Sequence, residues 1–284
     1  MFSGFADRYL DVFDTPRLGC WYDATPSQTF KDWDATAKKM RSSRLEDYAV
    51  EVNRQTDKDW GFTKWKAGDL IRFGDLLEEE DLGKLTLMVW PRPTRDFIDQ
   101  MLLTLPEIAK KCGAVAIEFD VEGGNWQEKY LEGFDDIEDA GRYLVESFRK
   151  ATDCLLGASF HTGRINRSVS ELVDYVAPQA YSTYDEGDEY DGRYEVVNMQ
   201  IRAWKKVMEI EDEDGKRFII VGLAAYRQKY PGHSPLDAMF AAADAAIELG
   251  AAHLRWWSWK HIMGHRDNGY AEEAIACVYD RFRE

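Results

Sequence analysis

A chain of 284 residues suffices for one large barrel or two medium domains, and its hydrophobic content of 45% is that of a globular protein rather than a disordered one. A net charge of −16, from 36 basic and 52 acidic residues, argues against a nucleic-acid binder, which needs a basic face, and against adhesion to an anionic membrane. No apolar run approaches the length of a membrane span.

Periodicity predicts eight strands separated by helical segments. In chain order, strand 18–23 precedes helix 30–41, and strand 48–53 precedes a short helix at 69–80. Strand 85–90 leads to helix 94–111, strand 114–122 to helix 137–153, and strand 155–161 to a short helix at 168–173. Strand 175–181 leads to helix 194–210, strand 218–224 to helix 235–249, and strand 253–259 to a last helix at 271–283. Thr94 after Pro93, and Pro235 after Ser234, are helix-opening pairs, while Gly113 and Gly250 each close a helix before a strand. No Pro-, Gly- or Ser-rich linker and no internal repeat divides the chain. The pattern predicts an α/β fold of (β/α)8 TIM-barrel type, one domain over 1–284. A doubly wound sheet would call for a glycine-rich turn after the first strand, where the sequence reads DATPSQTF.

The densest chemistry lies in AVAIEFDVEGGNW, residues 114–126. Glu118, Asp120 and Glu122 alternate with Ile117, Phe119 and Val121, so on a strand the three acids share one face. A strand acidic on one side and apolar on the other fits the inner wall of a barrel. Crowded carboxylates raise one another's pKa, and one acid kept protonated beside one kept ionised is what glycosidic cleavage uses.

Barrel chemistry sits at the C-terminal strand ends. There the sequence places Trp21, Tyr22 and Asp23, then Glu51 and Asn53, then Trp90 and Arg92, then Asp120 and Glu122. Ser159 and His161, Gln179 and Tyr181, Tyr226, and Trp257 with Trp259 follow on the later strands. Acids, an amide, phenols and indoles suit a carbohydrate, since an aromatic face fits the C–H face of a pyranose. Clustered His or Cys ligands for zinc are missing, and DEGDEYDG at 185–192 lacks full calcium-loop spacing, so no metal and no cofactor is expected. Some of these residues also have plain structural readings: Glu118 as an ion-pair partner inside the barrel, His161 as a satisfied polar group, Trp257 as a barrel plug. The acidic runs at 78–81, 185–191 and 209–214 read as solvated loops.

The motif residues resemble the family 18 glycoside hydrolases, in the compact class III chitinase/lysozyme type. That family's fourth strand carries DxxDxDxE; here Asp120 and Glu122 match, Glu118 replaces a third acid and Val115 replaces the first. Gln179-Ala180-Tyr181 matches a Gln-x-Tyr on strand six, and FIIVGLAAY at 218–226 and Trp257-Ser258 resemble strands seven and eight. The opening Asp23 with Phe30-Lys31-Asp32-Trp33 is similar instead to the family 25 lysozymes.

The family 18 resemblance implies hydrolysis of β-1,4 bonds between N-acetylhexosamines, in peptidoglycan or chitin, with retention through the substrate's own acetamido group. Glu122 would be the general acid, Asp120 would orient the acetamido group, and Tyr181 would bond its oxygen. Trp257 would floor the subsite, with Gln179, Glu118, Asp23, Trp21, Trp90 and His161 as further substrate-binding residues. The expected partner is a polysaccharide, with neither nucleic acid nor membrane. A non-catalytic sugar-binding barrel, a metal-dependent isomerase or aldolase using Asp120, Glu122, Glu51 and His161, and a scaffold protein are the alternatives. The four cysteines, Cys20, Cys112, Cys154 and Cys277, form no CxxC pair and read as buried thiols of a reducing compartment. The opening MFSGFADRYLDVFD lacks the basic and apolar regions of a signal peptide, so cytoplasmic synthesis with separate release to a cell wall is expected.

Overall fold

In a computed structural model the described residues are 17–122, 124–161, 167–179, 220–224 and 253–262, with 243, 244, 246, 247, 251, 275 and 278–280. The strands are β1 (Arg17–Tyr22), β2 (Asp47–Glu51), β3 (Lys84–Val89), β4 (Ala116–Asp120), β5 (Leu155–His161), β6 (Tyr175–Gln179), β7 (Ile220–Ala224) and β8 (His253–Trp257). They pair in that order and close on themselves, and β8 runs parallel to β1 from Arg17↔His253 to Trp21↔Trp257. Helices α1 (Pro26–Lys31), α2 (Trp33–Ser43), α3 (Ala67–Glu79), α4 (Arg95–Lys111), α5 (Ile137–Ala151), α6 (Arg167–Ser170) and α7 (Trp259–Ile262) fall between and after them. This is the (β/α)8 barrel that the alternating pattern predicts. No described helix is long and apolar enough to cross a membrane.

The boundaries differ from the predicted ones for local reasons. The helix expected over 30–41 is two helices, because Asp32 ends α1 and then caps α2, accepting from the Ala35 N–H at 3.1 Å. Thr94 is the N-cap of α4 rather than its first residue. Strand eight stops at Trp257; Trp259 opens α7, where the Ile262 N–H reaches back to the Ser258 carbonyl at 3.1 Å. The peptide between Trp257 and Ser258 is cis. The predicted helices over 194–210, most of 235–249 and most of 271–283 lie outside the described residues, as does the 185–191 acidic run. Cys20, Cys112 and Cys154 are free thiols, the first two buried.

By contacts the chain forms two compact units, Ala49–Ala177 with Met1–Asp14, and Thr15–Tyr48 with Pro178–Glu284. The core of the first is set by β3, β4 and β5. Phe119 on β4 packs edge-on against Phe148 of α5 at 5.2 Å, on the helix side of the sheet. Glu118 and Asp120 take the opposite face, as strand alternation requires. The core of the second is aromatic, with Tyr22 packed on Trp259 at 5.2 Å and on Tyr48 at 6.2 Å.

Candidate functional site

In the first unit, register brings the acids beside small residues. Glu118 pairs with Gly157 and Asp120 with Ser159 on β5. A Cβ at position 157 would overlap the Tyr175 ring, so glycine is what lets that ring lie against β5. From there the Tyr175 hydroxyl donates to Glu118 Oε2 at 2.9 Å, with both residues fully buried. A phenol from β6 is thus one partner of Glu118.

Asp120 is fully buried, and neither carboxylate oxygen has a hydrogen-bond partner among the described residues. Burial pushes its pKa well above the usual carboxylate range; Glu122 and then Glu118 push the same way, opposed by Ser159. Burial and the two neighbouring carboxyls thus favour the neutral form of Asp120. Glu122 lies just past the strand. Its carbonyl accepts from the Asn125 and Trp126 N–H groups at 3.2 and 2.9 Å, turning the chain away from β4. Its side chain is half-buried and accepts from Gln55 Nε2 at 3.4 Å, a contact from the loop after β2 that sequence spacing does not announce.

The neighbouring strand ends are tied by amides. Asn53 replaces strand pairing with its side chain: Nδ2 donates to the Trp90 carbonyl at 3.1 Å, and Oδ1 accepts from the Trp90 N–H at 2.9 Å. Asn125 Nδ2 donates to the carbonyls of Pro91 and Asp120, at 2.7 and 3.0 Å. Trp90 is buried, and its indole N–H donates to Glu51 at 2.9 Å, while Glu51 is ion-paired with Lys64. Lys64 was not singled out by the sequence, because it lies in an irregular loop.

In the second unit, Trp21 and Trp257 stand 5.9 Å apart at the ends of β1 and β8. Trp21 is buried and its ring lies 5.5 Å from the Arg255 guanidinium, whereas Trp257 is half-buried. Gly222 on β7 is the close approach that makes room for Trp21, since a Cβ there would overlap the indole. Asp23 accepts from the Lys260 N–H at 3.0 Å and so caps the first turn of α7. Gln179 is buried at the end of β6, in register with Gly222. Arg255 is fully buried and donates to Asp47 Oδ2 through Nε and Nη2, at 2.9 and 2.5 Å. His253 accepts from the Arg17 N–H at 3.1 Å, and burial with two nearby guanidinium groups lowers its pKa to about 3, so it is neutral.

His161 is the last residue of β5. Tyr181 and Tyr226 lie outside the described residues. Among the described residues no group of three His, Cys, Asp or Glu side chains is arranged to hold a metal ion.

The chain matches no protein-family model and no curated protein sequence. Solved structures do resemble it. A group IV chitinase of Ostrinia furnacalis, in complex with allosamidin, has a TM-score of 0.62 at 11% identity, covering 94% of this chain and 99% of its own. The C-terminal domain of a putative chitinase from Desulfitobacterium hafniense has a TM-score of 0.65 at 10% identity, covering 94% and 100%. A β-mannanase of Alicyclobacillus acidocaldarius has a TM-score of 0.59 at 13% identity, covering 96% and 99%. At such identities the likeness establishes the shared barrel fold, and the chemistry has to be argued from the residues.

Proposed function

We propose that this protein is a glycoside hydrolase that cleaves β-1,4 bonds in polymers of N-acetylhexosamine, with the whole of 1–284 as one catalytic domain. The observation that carries this reading is Asp120, a fully buried carboxyl with no hydrogen-bond partner among the described residues, set between Glu118 and Glu122. An ionisable group is rarely kept in that state for packing alone. The chitinases among the structural relatives support a chitin-like, 2-acetamido substrate.

Glu122, half-buried at the strand end, is the general acid that protonates the leaving glycosidic oxygen. The substrate's acetamido oxygen attacks its own anomeric carbon, so no enzyme carboxylate becomes the nucleophile and the product retains its configuration. Asp120 orients the acetamido N–H. Burial favours its neutral form in the free protein, and the acetamido N–H favours the anion, so Asp120 releases its proton to solvent as the substrate binds and acts as the anion beside the growing positive charge. Glu118, held by Tyr175, supports Asp120 from beneath rather than touching sugar. The roles of Trp257 as an indole platform, and of Gln179 and Tyr181 as polar partners of the sugar, are carried over from the family 18 resemblance; in the second unit Trp257 has Trp21 beside it at 5.9 Å. Trp90, Asp23 and His161 are proposed as further substrate-binding residues.

The test is release of new reducing ends from chitin oligomers and from purified wall glycan, compared with a Glu122→Gln variant. The variant should lose about 10²–10⁴-fold in kcat. A Glu122→Gln protein as active as the parent overturns the assignment.

A further inference from the structure

The loops after β2, β3 and β4 form a groove of about 480 Å³ in the first unit, on the same strand ends as the acids. Its lining carries three cations, Lys58, Arg92 and Lys129, and three acids, Asp59, Asp96 and Glu132, so any charge preference must come from geometry rather than from net charge. The geometry singles out Arg92. Its Nε donates to the Asp57 carbonyl at 2.5 Å, and its guanidinium lies 4.9 Å from the Tyr130 ring centre. Among the described residues it makes no other hydrogen bond or ion pair, so the terminal fork is held in orientation and still unused. A fixed, planar fork is suited to a carboxylate, which it can bind through two parallel hydrogen bonds. Lys129 adds a second cation 4.8 Å from the same ring.

Of the three acids of the groove, Asp96 is engaged, its carboxylate accepting from Gln100 Nε2 at 2.8 Å. Glu132 is fixed through its backbone, pairing with Thr94 across the two loops. The wall is equally firm, because the Trp60 indole N–H donates to Thr104 at 2.8 Å and its ring packs against Phe97 at 5.9 Å. An immobilised indole beside an immobilised guanidinium offers a sugar ring one face and an acidic substituent one partner. The groove is also mechanically continuous with the acids, since Asn125 ties Pro91, next to Arg92, to the carbonyl of Asp120.

We infer that this groove holds a carboxylate-bearing sugar of the polymer, with Arg92 as the ligand of the carboxylate. The inference rests on the proposed glycosidase reading and narrows its substrate to an acidic glycan. The carboxylate has two common sources, the lactyl ether of a muramyl sugar and the carboxyl of a uronic acid.

Three substrates separate these possibilities: a peptide-stripped wall glycan, a polymer alternating N-acetylglucosamine with glucuronic acid, and neutral N-acetylglucosamine oligomers of matched length. The parent protein should show a kcat/KM at least about tenfold higher on one acidic polymer than on the neutral chain, carried mainly by KM. Arg92→Gln should collapse that ratio toward one. Arg92→Lys, which keeps the charge but not the fork, should recover less than half of the preference. Using a ratio makes the result independent of any loss of folded protein. A parent ratio near one, or a ratio unmoved in Arg92→Gln, overturns the inference while leaving the glycosidase reading intact. If none of the three is hydrolysed, that reading fails. The groove is then judged by calorimetric binding of the same glycans: an acidic preference lost in Arg92→Gln upholds it, and equal binding overturns it.

Discussion

Two buried carboxylates in this protein are treated in opposite ways. Asp47, in the second unit, receives two hydrogen bonds from a fully buried guanidinium, that of Arg255. Asp120, in the first, receives none among the described residues and is pushed toward the neutral form. Both positions cost desolvation, but only the first recovers it through a partner. Burial of an acid is therefore uninformative by itself in such a barrel, and the missing partner is the observation on which the proposed role of Asp120 rests. Glu118 stands between the two cases, with a neutral phenol as donor.

The largest effect expected from breaking this contrast is on the paired side. Arg255→Met should destabilise the protein by about 3–5 kcal/mol, because it takes both guanidinium hydrogen bonds from the buried Asp47 carboxylate. Replacing both partners, with Asp47→Leu added, should recover much of the loss. Urea unfolding measures both, and a single variant within about 1 kcal/mol of the parent would mean that the pair does not hold the second unit together. A smaller loss is expected from Tyr175→Phe. It keeps the ring packed over Gly157 and removes one donor to Glu118, a hydrogen bond to a carboxylate worth about 1.5–3 kcal/mol. Unfolding midpoints of the parent and this variant, taken at the same pH, check it.

The fold was readable from local patterns, and the partners of the site were not. Strand five begins at Leu155 and ends at His161 as alternation predicts, and Glu118 and Asp120 do share a face of β4. Those inferences need only neighbours in sequence. Asp32 gives no break in the sequence pattern, because one residue serves both as the end of α1 and as the cap of α2, and the hydrophobic period runs through it. A tryptophan-rich run reads as β, so the pattern extends strand eight to Trp259, whereas the helical turn after Ser258 makes Trp259 the first residue of α7. Tyr175 as the donor to Glu118 lies 57 residues away, and Arg255 as the donor to Asp47 lies 208 away. No spacing rule spans such separations; register across the barrel sets them. Arg92 was visible as a strand-end residue, but its clamp on Asp57 and Tyr130 belongs to loops without a periodic signature.

The last effect has the most telling sign. Asp120→Asn should stabilise the protein at neutral pH, because asparagine is neutral in both states and so removes the cost of holding in the folded state a proton that the unfolded chain releases. The pH dependence separates this from a packing change. Asp120 has its folded pKa raised, so above the unfolded value of about 3.9 the native state binds a proton that the unfolded chain has released. Stability of the parent therefore falls as pH rises from there through the folded pKa. The asparagine variant lacks that slope, while Glu118 and Glu122 face the site in both proteins. Thermal midpoints of the two should coincide near pH 3, diverge above about pH 4 in favour of the variant, and level off once the parent's carboxyl has ionised. A midpoint difference that stays constant with pH, or a variant less stable than the parent at neutral pH, would mean that Asp120 is satisfied like Asp47, and the contrast between the two acids would disappear.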